Sequence, residues 1–337
     1  MAHSELARLQ AVAFSQQTQQ LIAAGYNNGR HVVAAAFSAS TGGLLWGFTY
    51  QINGLNAYAT SVYSLPGHYA GSCLAGYIVD IPNGYILSML LMQIDVFGTM
   101  TSINVISNSD GHAQANGMSV DTLSGDIFLA GMTLSITSNN VNALITRFSN
   151  SGGGIVWTKE FGSSAKDQFT DVLYSDDSVF VIGYSEGFDS SSSKRSLIAF
   201  HLDADSGDVV KSAGISGPGS ITCDSLVEFE HGLRIACTAH EHATIFFLDK
   251  ASLSSGELPP GYVFHDDVQA VMSAVVSTDM KVSDTSAKST RLKLVNKLSI
   301  QSVKTTKWST TLPPLSNMVV SSPSYTQSWP ENLPSFP

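Results

Sequence analysis

Short apolar runs separated by polar clusters fill most of the chain, and few of them carry the spacing of an amphipathic helix. Between them lie segments of alternating pattern, such as Ala115 to Val120 and Gln168 to Leu173. β-branched and aromatic residues dominate the apolar runs, so both kinds of segment are predicted as strands. One run recurs with a small residue at its end. It reads Leu21-Ile22-Ala23-Ala24-Gly25, then Ser72-Cys73-Leu74-Ala75-Gly76, Ile127-Phe128-Leu129-Ala130-Gly131 and Val179-Phe180-Val181-Ile182-Gly183. Leu233-Arg234-Ile235-Ala236-Cys237 and Met280-Lys281-Val282-Ser283-Asp284 are weaker copies. The copies are roughly 50 residues apart, which marks a repeat architecture.

Each copy sits in the same setting. An alternating strand precedes it, joined by a polar turn such as Thr122-Leu123-Ser124-Gly125-Asp126. A third strand follows, as at Val32 to Phe37, Ala143 to Phe148, Ser196 to Leu202 and Thr244 to Leu248. Then come turns such as Ser40-Thr41-Gly42-Gly43, Asn150-Ser151-Gly152-Gly153, Asp205-Ser206-Gly207-Asp208 and Ser254-Ser255-Gly256, and a fourth strand. Trp46, Trp157 and Trp308 stand at equivalent places after these turns. A four-stranded unit has two faces to bury and cannot bury them alone. Units stacked around an axis can, which predicts an all-β fold, a β-propeller of six four-stranded blades.

The blades are placed at about 5–55, 56–106, 107–162, 163–217, 218–266 and 267–312, so that 1–312 form the propeller. Residues 313–337 form an extended tail rich in Pro, Ser and aromatics. Seven blades, or an imperfect closure, are the alternatives, because the chain begins on an innermost strand and ends on an outermost one, with no evident strand exchange to close the ring. The small residue ending the recurring run suits a close approach between neighbouring blades.

Asn142-Ala143-Leu144-Ile145-Thr146-Arg147-Phe148 followed by Ser151 to Gly162 resembles the SBBP-type β-propeller repeat of bacterial secreted proteins. Ala39-Ser40-Thr41-Gly42-Gly43-Leu44-Leu45-Trp46 is similar to the tryptophan-docking turn of quinoprotein (PQQ-like) propellers. The resemblance covers most of residues 5–250 and implies a propeller in which Trp46, Trp157 and Trp308 dock blade to blade. It implies structural repeats rather than a cofactor site, and no quinone cofactor is expected.

Composition narrows the function classes. The net charge is −10 and only 13% of the 337 residues are charged, while 43% are hydrophobic. That excludes an acidic disordered chain and a coiled coil. Seven of the 17 cations fall at Lys281, Lys288, Arg291, Lys293, Lys297, Lys304 and Lys307. This stretch is read as a solvated strand face, with an acidic partner as the alternative. No aromatics interleave it for base stacking, so nucleic acid is not expected. No window is long and apolar enough to predict a membrane span. The start, Met1 to Arg8, lacks a signal-peptide profile, which favours the cell interior. The low charge and high Ser, Thr and Gly content favour the outside.

Candidate chemistry is sparse. His240 and His242 would share one face of an extended strand, as two metal ligands do, but rim histidines are the simpler reading. Asp203, Asp205 and Asp208 alternate like the start of a calcium loop, yet the turn they share with other repeats explains them. Asp176-Asp177 reads as a hairpin turn, and Asp266-Asp267 precedes an expected innermost strand, where it would face the channel. His112, Asp224 and Asp267 lie near channel positions without forming a recognisable set. Cys223 and Cys237 fall nearly opposite each other on a predicted hairpin and are read as two buried thiols rather than a bridge. No nucleophile elbow, P-loop, dinucleotide fingerprint or zinc-protease motif occurs, so no catalytic residue, metal or cofactor is predicted.

From His31 to Val79 no residue is charged, and Tyr50, Tyr58, Tyr63, Tyr69 and Tyr77 interleave with Ser, Gly and Ala. Ordinary strand tyrosines packed between blades are the simpler reading, but surfaces depleted in charge and enriched in Tyr are also interface-like. With Trp329 and Phe336 of the tail, these tyrosines are the candidate contact residues. The expectation is a non-catalytic propeller serving as a structural or protein-protein interaction subunit, with protein partners in a multi-subunit or polymeric assembly. The alternative is an enzyme or a glycan-binding lectin working at the channel mouth.

Overall fold

The computed structural model describes residues 7–52, 55–65, 71–80, 86–108, 111–135, 140–151, 153–188, 194–230, 232–256 and 258–268, with the backbone of 292–295 and 303–307. The apolar runs and their polar turns fold as consecutive antiparallel hairpins. The first sheet holds β1 (Ala7–Ser15), β2 (Gln20–Asn27), β3 (Val32–Ser38) and β4 (Leu44–Ile52). The second holds β5 (Asn56–Leu65), β6 (Gly71–Asp80), β7 (Ile86–Asp95) and β8 (Met100–Asn108). The third holds β9 (Gly111–Val120), β10 (Ile127–Ser135), β11 (Val141–Ser149) and β12 (Gly154–Phe161). The fourth holds β13 (Asp167–Ser175), β14 (Ser178–Ser185), β15 (Ser196–Asp203) and β16 (Val209–Ser216). The fifth has only β17 (Ile221–Phe229), β18 (Gly232–Ala239) and β19 (His242–Asp249).

The chain is thus an all-β propeller with five blades among the described residues, which corrects the six predicted and the alternative of seven. The later strands do not build another sheet. β20 (Val263–Asp266) pairs with β16, β21 (Leu292–Val295) with β8, and β22 (Val303–Lys307) with β4. Outer edges of finished sheets carry unpaired N–H and C=O groups, so a short late strand gains its ladder there at once. A roughly 50-residue period cannot reveal that choice, because the partners are far away in sequence. The sixth copy of the recurring run, Trp308 and the tail lie outside the described residues, as does Tyr69.

Four apolar cores lie between consecutive sheets. Ile22, Ala24, Trp46 and Tyr50 meet Ala57, Leu74 and Leu90 between the first and second. Cys73, Met89 and Leu91 meet Ala115, Leu129 and Phe148 between the second and third. Phe128 and Ile145 meet Phe169, Val181 and Phe200 next, and Phe180 and Ile182 meet Ile221, Ile235 and Phe246 last. Successive residues of one strand therefore enter different cores, as Phe180 and Val181 do. This is why the recurring runs are apolar throughout rather than alternating. It also explains the uncharged sector: Val32 to Ala36, Ala57, Ala59, Leu74 and Ala75 are buried.

The recurring glycine has a reason inside each sheet rather than between sheets. Every innermost strand carries a bulge at the same register: Gln10, Thr60, Asn116, Thr170 and Asp224 are the extra residues. Just before the bulge, Leu9, Ala59, Ala115 and Phe169 face Gly25, Gly76, Gly131 and Gly183. A Cβ on any of these glycines would fall 1.8 or 1.9 Å from a carbonyl oxygen, that of Arg8, Tyr58, Gln114 or Gln168. The fifth sheet departs from the rule: Cys223 faces Cys237, and a disulfide joins them. That corrects the reading of two thiols. The sequence separation alone left the chemistry open, whereas the register sets the two side chains side by side.

Candidate interaction surface

The joints between sheets follow one plan. A side chain on one sheet donates to the turn that follows the third strand of the next. Trp46 Nε1 donates to Val96 O at 2.9 Å, and Trp157 Nε1 to Ala204 O at 3.0 Å. Gln93 Nε2 reaches Asn150 Oδ1 at 2.7 Å, and Lys211 Nζ reaches Ser252 O at 3.4 Å. The two tryptophans lie two sheets apart, hence their two-repeat spacing. Gly98 and Gly207, both at positive φ, leave room for the indoles in those turns.

Most residues singled out for chemistry are taken up by these turns and joints. Asp203 Oδ1 accepts the N–H and Oγ–H of Ser206, so it closes a turn. Asp205 and Asp126 pair with Arg147, each at 2.8 Å, and Asp208 pairs with Lys159. Asp176 and Asp177 form a two-residue hairpin turn at positive φ, and Asp176 joins Glu228 and Ser175 around Lys250. His240 and Glu241 form the β18–β19 turn, also at positive φ, so the two histidines do not lie together on a strand as the clamp reading requires. Their rings stand 6.4 Å apart.

Asp266 ends β20 on the outer edge of the fourth sheet, and Asp267 accepts from Ser212 there. β20 thus lies on the outer edge of the fourth sheet rather than completing the blade placed at 218–266, and the innermost strand expected after Asp267 lies outside the described residues. His112 accepts the Leu87 N–H through Nδ1, and burial holds its pKa below the usual histidine value. His112, Asp224 and Asp267 therefore stand on three different sheets. Among the described residues no group of three His, Cys, Asp or Glu side chains could hold a metal ion. Nor is any helix there long and apolar enough to cross a membrane.

The predicted contact tyrosines are placed as follows. Tyr50 is fully buried between the first two sheets and donates to Gly98 O at 2.6 Å, so it is a core residue and cannot meet a partner. Tyr58 and Tyr77 stack on each other with ring centroids 4.8 Å apart, and Tyr26 meets Tyr58 edge-on. Tyr63 is half-buried. Trp329 and Phe336 lie outside the described residues.

What the sequence reading missed is at the end of the row. Among the described residues the fifth sheet has a neighbour on one face only. Leu226, Leu233, Ile235, Phe246 and Leu248 pack toward the fourth sheet. The opposite face is exposed and apolar: Val227 is 52% exposed, Ile245 59% and Phe247 55%. Val227, Arg234 and Phe247 form one cross-strand row, and Ser225, Ala236 and Ile245 form the next. The Arg234 guanidinium lies 3.4 Å from the Phe229 ring centroid and 5.5 Å from that of Phe247. Arginine on aromatics in an apolar field is the composition of interface anchors. The signal was legible: β18 reads Leu-Arg-Ile-Ala-Cys-Thr-Ala, alternating where other second strands are apolar throughout. At the other end of the row, Leu9, Val12 and Phe14 of β1 and Leu21 of β2 are also exposed.

No protein-family profile matches this sequence, and no curated protein is recognisably similar to it. Several solved structures are similar in shape. A chain of the nidogen–laminin complex has a TM-score of 0.46 and 10% identity over 78% of this chain and 82% of its own. Hydrazine synthase of Kuenenia stuttgartiensis has a TM-score of 0.46 and 10% identity, covering 75% of this chain and 80% of its own. An exo-β-1,3-galactanase from Phanerochaete chrysosporium has a TM-score of 0.40 and 14% identity, covering 72% and 62%. These likenesses are distant, and none of the activities in those names passes to this chain.

Proposed function

We propose that this chain is a non-catalytic β-propeller that serves as a protein-binding subunit of a larger assembly and docks through the free face of its fifth sheet. The carrying observation is that face, where Val227, Phe229, Ile245 and Phe247 are exposed beside Arg234. Apolar patches of this kind are uncommon on monomers and mark contact surfaces. The polar residues that suggested chemistry support the same reading, since they close turns and tie sheets together. The resemblance of residues 142–162 and 39–46 to SBBP-type and quinoprotein-like repeats supports a structural role for the repeats.

The test replaces both rings, Phe229→Ser with Phe247→Ser, in the full chain. Both side chains are exposed, so the fold should survive. Light scattering on the complex isolated from its native source should then show a smaller species than with the unaltered chain. An unaltered chain that is recovered only as a monomer would sink the reading. Binding on a glycan array would favour the lectin alternative instead.

A further inference from the structure

The fifth sheet holds the same bulge as the other four, but by different means. In the others the residue facing the pre-bulge position is a glycine, because a Cβ there would strike the inner strand's backbone. In the fifth that position is Cys237, bonded to Cys223. The bulge residue itself also differs. Thr60 donates to Ala115 O in the next sheet at 2.9 Å, and Asn116 donates to Phe169 O in the next at 2.7 Å. Thr170 of the fourth sheet donates within its own sheet, to Ile182 O at 3.3 Å, and at this place the fifth sheet has the carboxyl of Asp224. Among the described residues the fifth sheet also has three strands and one covered face, so its described neighbours constrain it least.

We propose that the Cys223–Cys237 disulfide does in the last blade what glycine does in the other four, so that this blade is completed only by thiol oxidation and is selectively loosened by reduction. Two cysteine thiols exchange with an external disulfide, which leaves as two thiols while the Cys223–Cys237 bond forms. A dithiol reductant reverses the step and becomes the disulfide itself. The third cysteine does not compete. Cys73 is buried between the second and third sheets, and burial pushes its thiol up to about 12, which keeps it protonated and unreactive.

Three measurements on the full chain decide the matter. Alkylation after denaturation without reductant should modify Cys73 alone; modification of all three cysteines overturns the proposal. Hydrogen exchange after reduction, verified by alkylation, should quicken at least tenfold over residues 221–249 and stay unchanged over 7–216. A uniform change, or none, overturns it. Two double variants then separate glycine from mere loss of the bond. Cys223→Ala with Cys237→Gly recreates the Ala59–Gly76 and Ala115–Gly131 pairs and should stay protected with or without reductant. Cys223→Ala with Cys237→Ala has neither device and should exchange like the reduced protein. Equal protection of the two variants, in either direction, overturns the proposal.

Discussion

The recurring glycine makes a sharp stability prediction. In Gly131→Ala the new Cβ would sit 1.8 Å from Gln114 O, 2.9 Å from Gln114 C and 3.0 Å from Ala115 Cα. All three are backbone atoms, so no side-chain rotation relieves the clash. The second strand of the third sheet must shift by about an ångström against its inner neighbour, in a close-packed interior. Overpacking of this kind costs about 1–3 kcal/mol. Ladder hydrogen bonds beside the bulge stretch as well, and one buried group left unpaired adds about 1–3 kcal/mol. The expected loss is therefore about 2–6 kcal/mol, a large part of a typical domain's stability. At roughly 2–3 °C per kcal/mol for a chain of this size, the melting temperature should fall by about 4–18 °C. Gly154→Ala is the control, because its Cβ meets nothing within 4 Å. It should change stability by less than about 1 kcal/mol, in either direction. Thermal melts by circular dichroism, with urea titration at fixed temperature, measure both. A Gly131→Ala protein as stable as the Gly154→Ala protein would refute the close approach as the cause of the repeat.

Other outcomes follow from the joints. Trp46→Phe keeps most of the indole's packing but loses the bond to Val96 O, and should cost about 1 kcal/mol in urea unfolding; no change would mean that shape alone docks the first two sheets. Burial pushes the carboxyls of Asp167 and Asp171 up to about 6, although backbone N–H groups hold them. Their folded values exceed the unfolded ones, so the native state keeps protons that the unfolded state releases. The stability they contribute is present below about pH 4 and is lost as pH rises through 6. The urea midpoint should fall between pH 4.5 and 7, and Asp171→Asn should flatten the slope; an identical slope in the variant would remove Asp171 as its source. Phe229→Ser with Phe247→Ser should lower the fluorescence of a bound hydrophobic dye on the folded chain, and an undiminished signal would place the exposed apolar surface elsewhere.

Local pattern alone determined the strands of the five sheets, their hairpin turns and the repeat that makes this a propeller. Each of these depends on neighbours a few residues apart: alternation, β-branched runs, Asp and Gly in turns. The recurring glycine was legible as a mark, but its cause is the carbonyl of a strand that pairs with it, and only the register brings that oxygen close. The tertiary structure decided that the described residues form five blades, because β20, β21 and β22 chose edges whose positions no periodicity encodes. It put Tyr50 and the apolar runs of the uncharged sector into the core between the first two sheets, where no charge is tolerated unpaired. The candidate surface sits where that covering stops. The alternation of Leu233 to Ala239 already announced an uncovered face, but which face it was, and that Arg234 lies on the rings of Phe229 and Phe247, depends on strands meeting side by side.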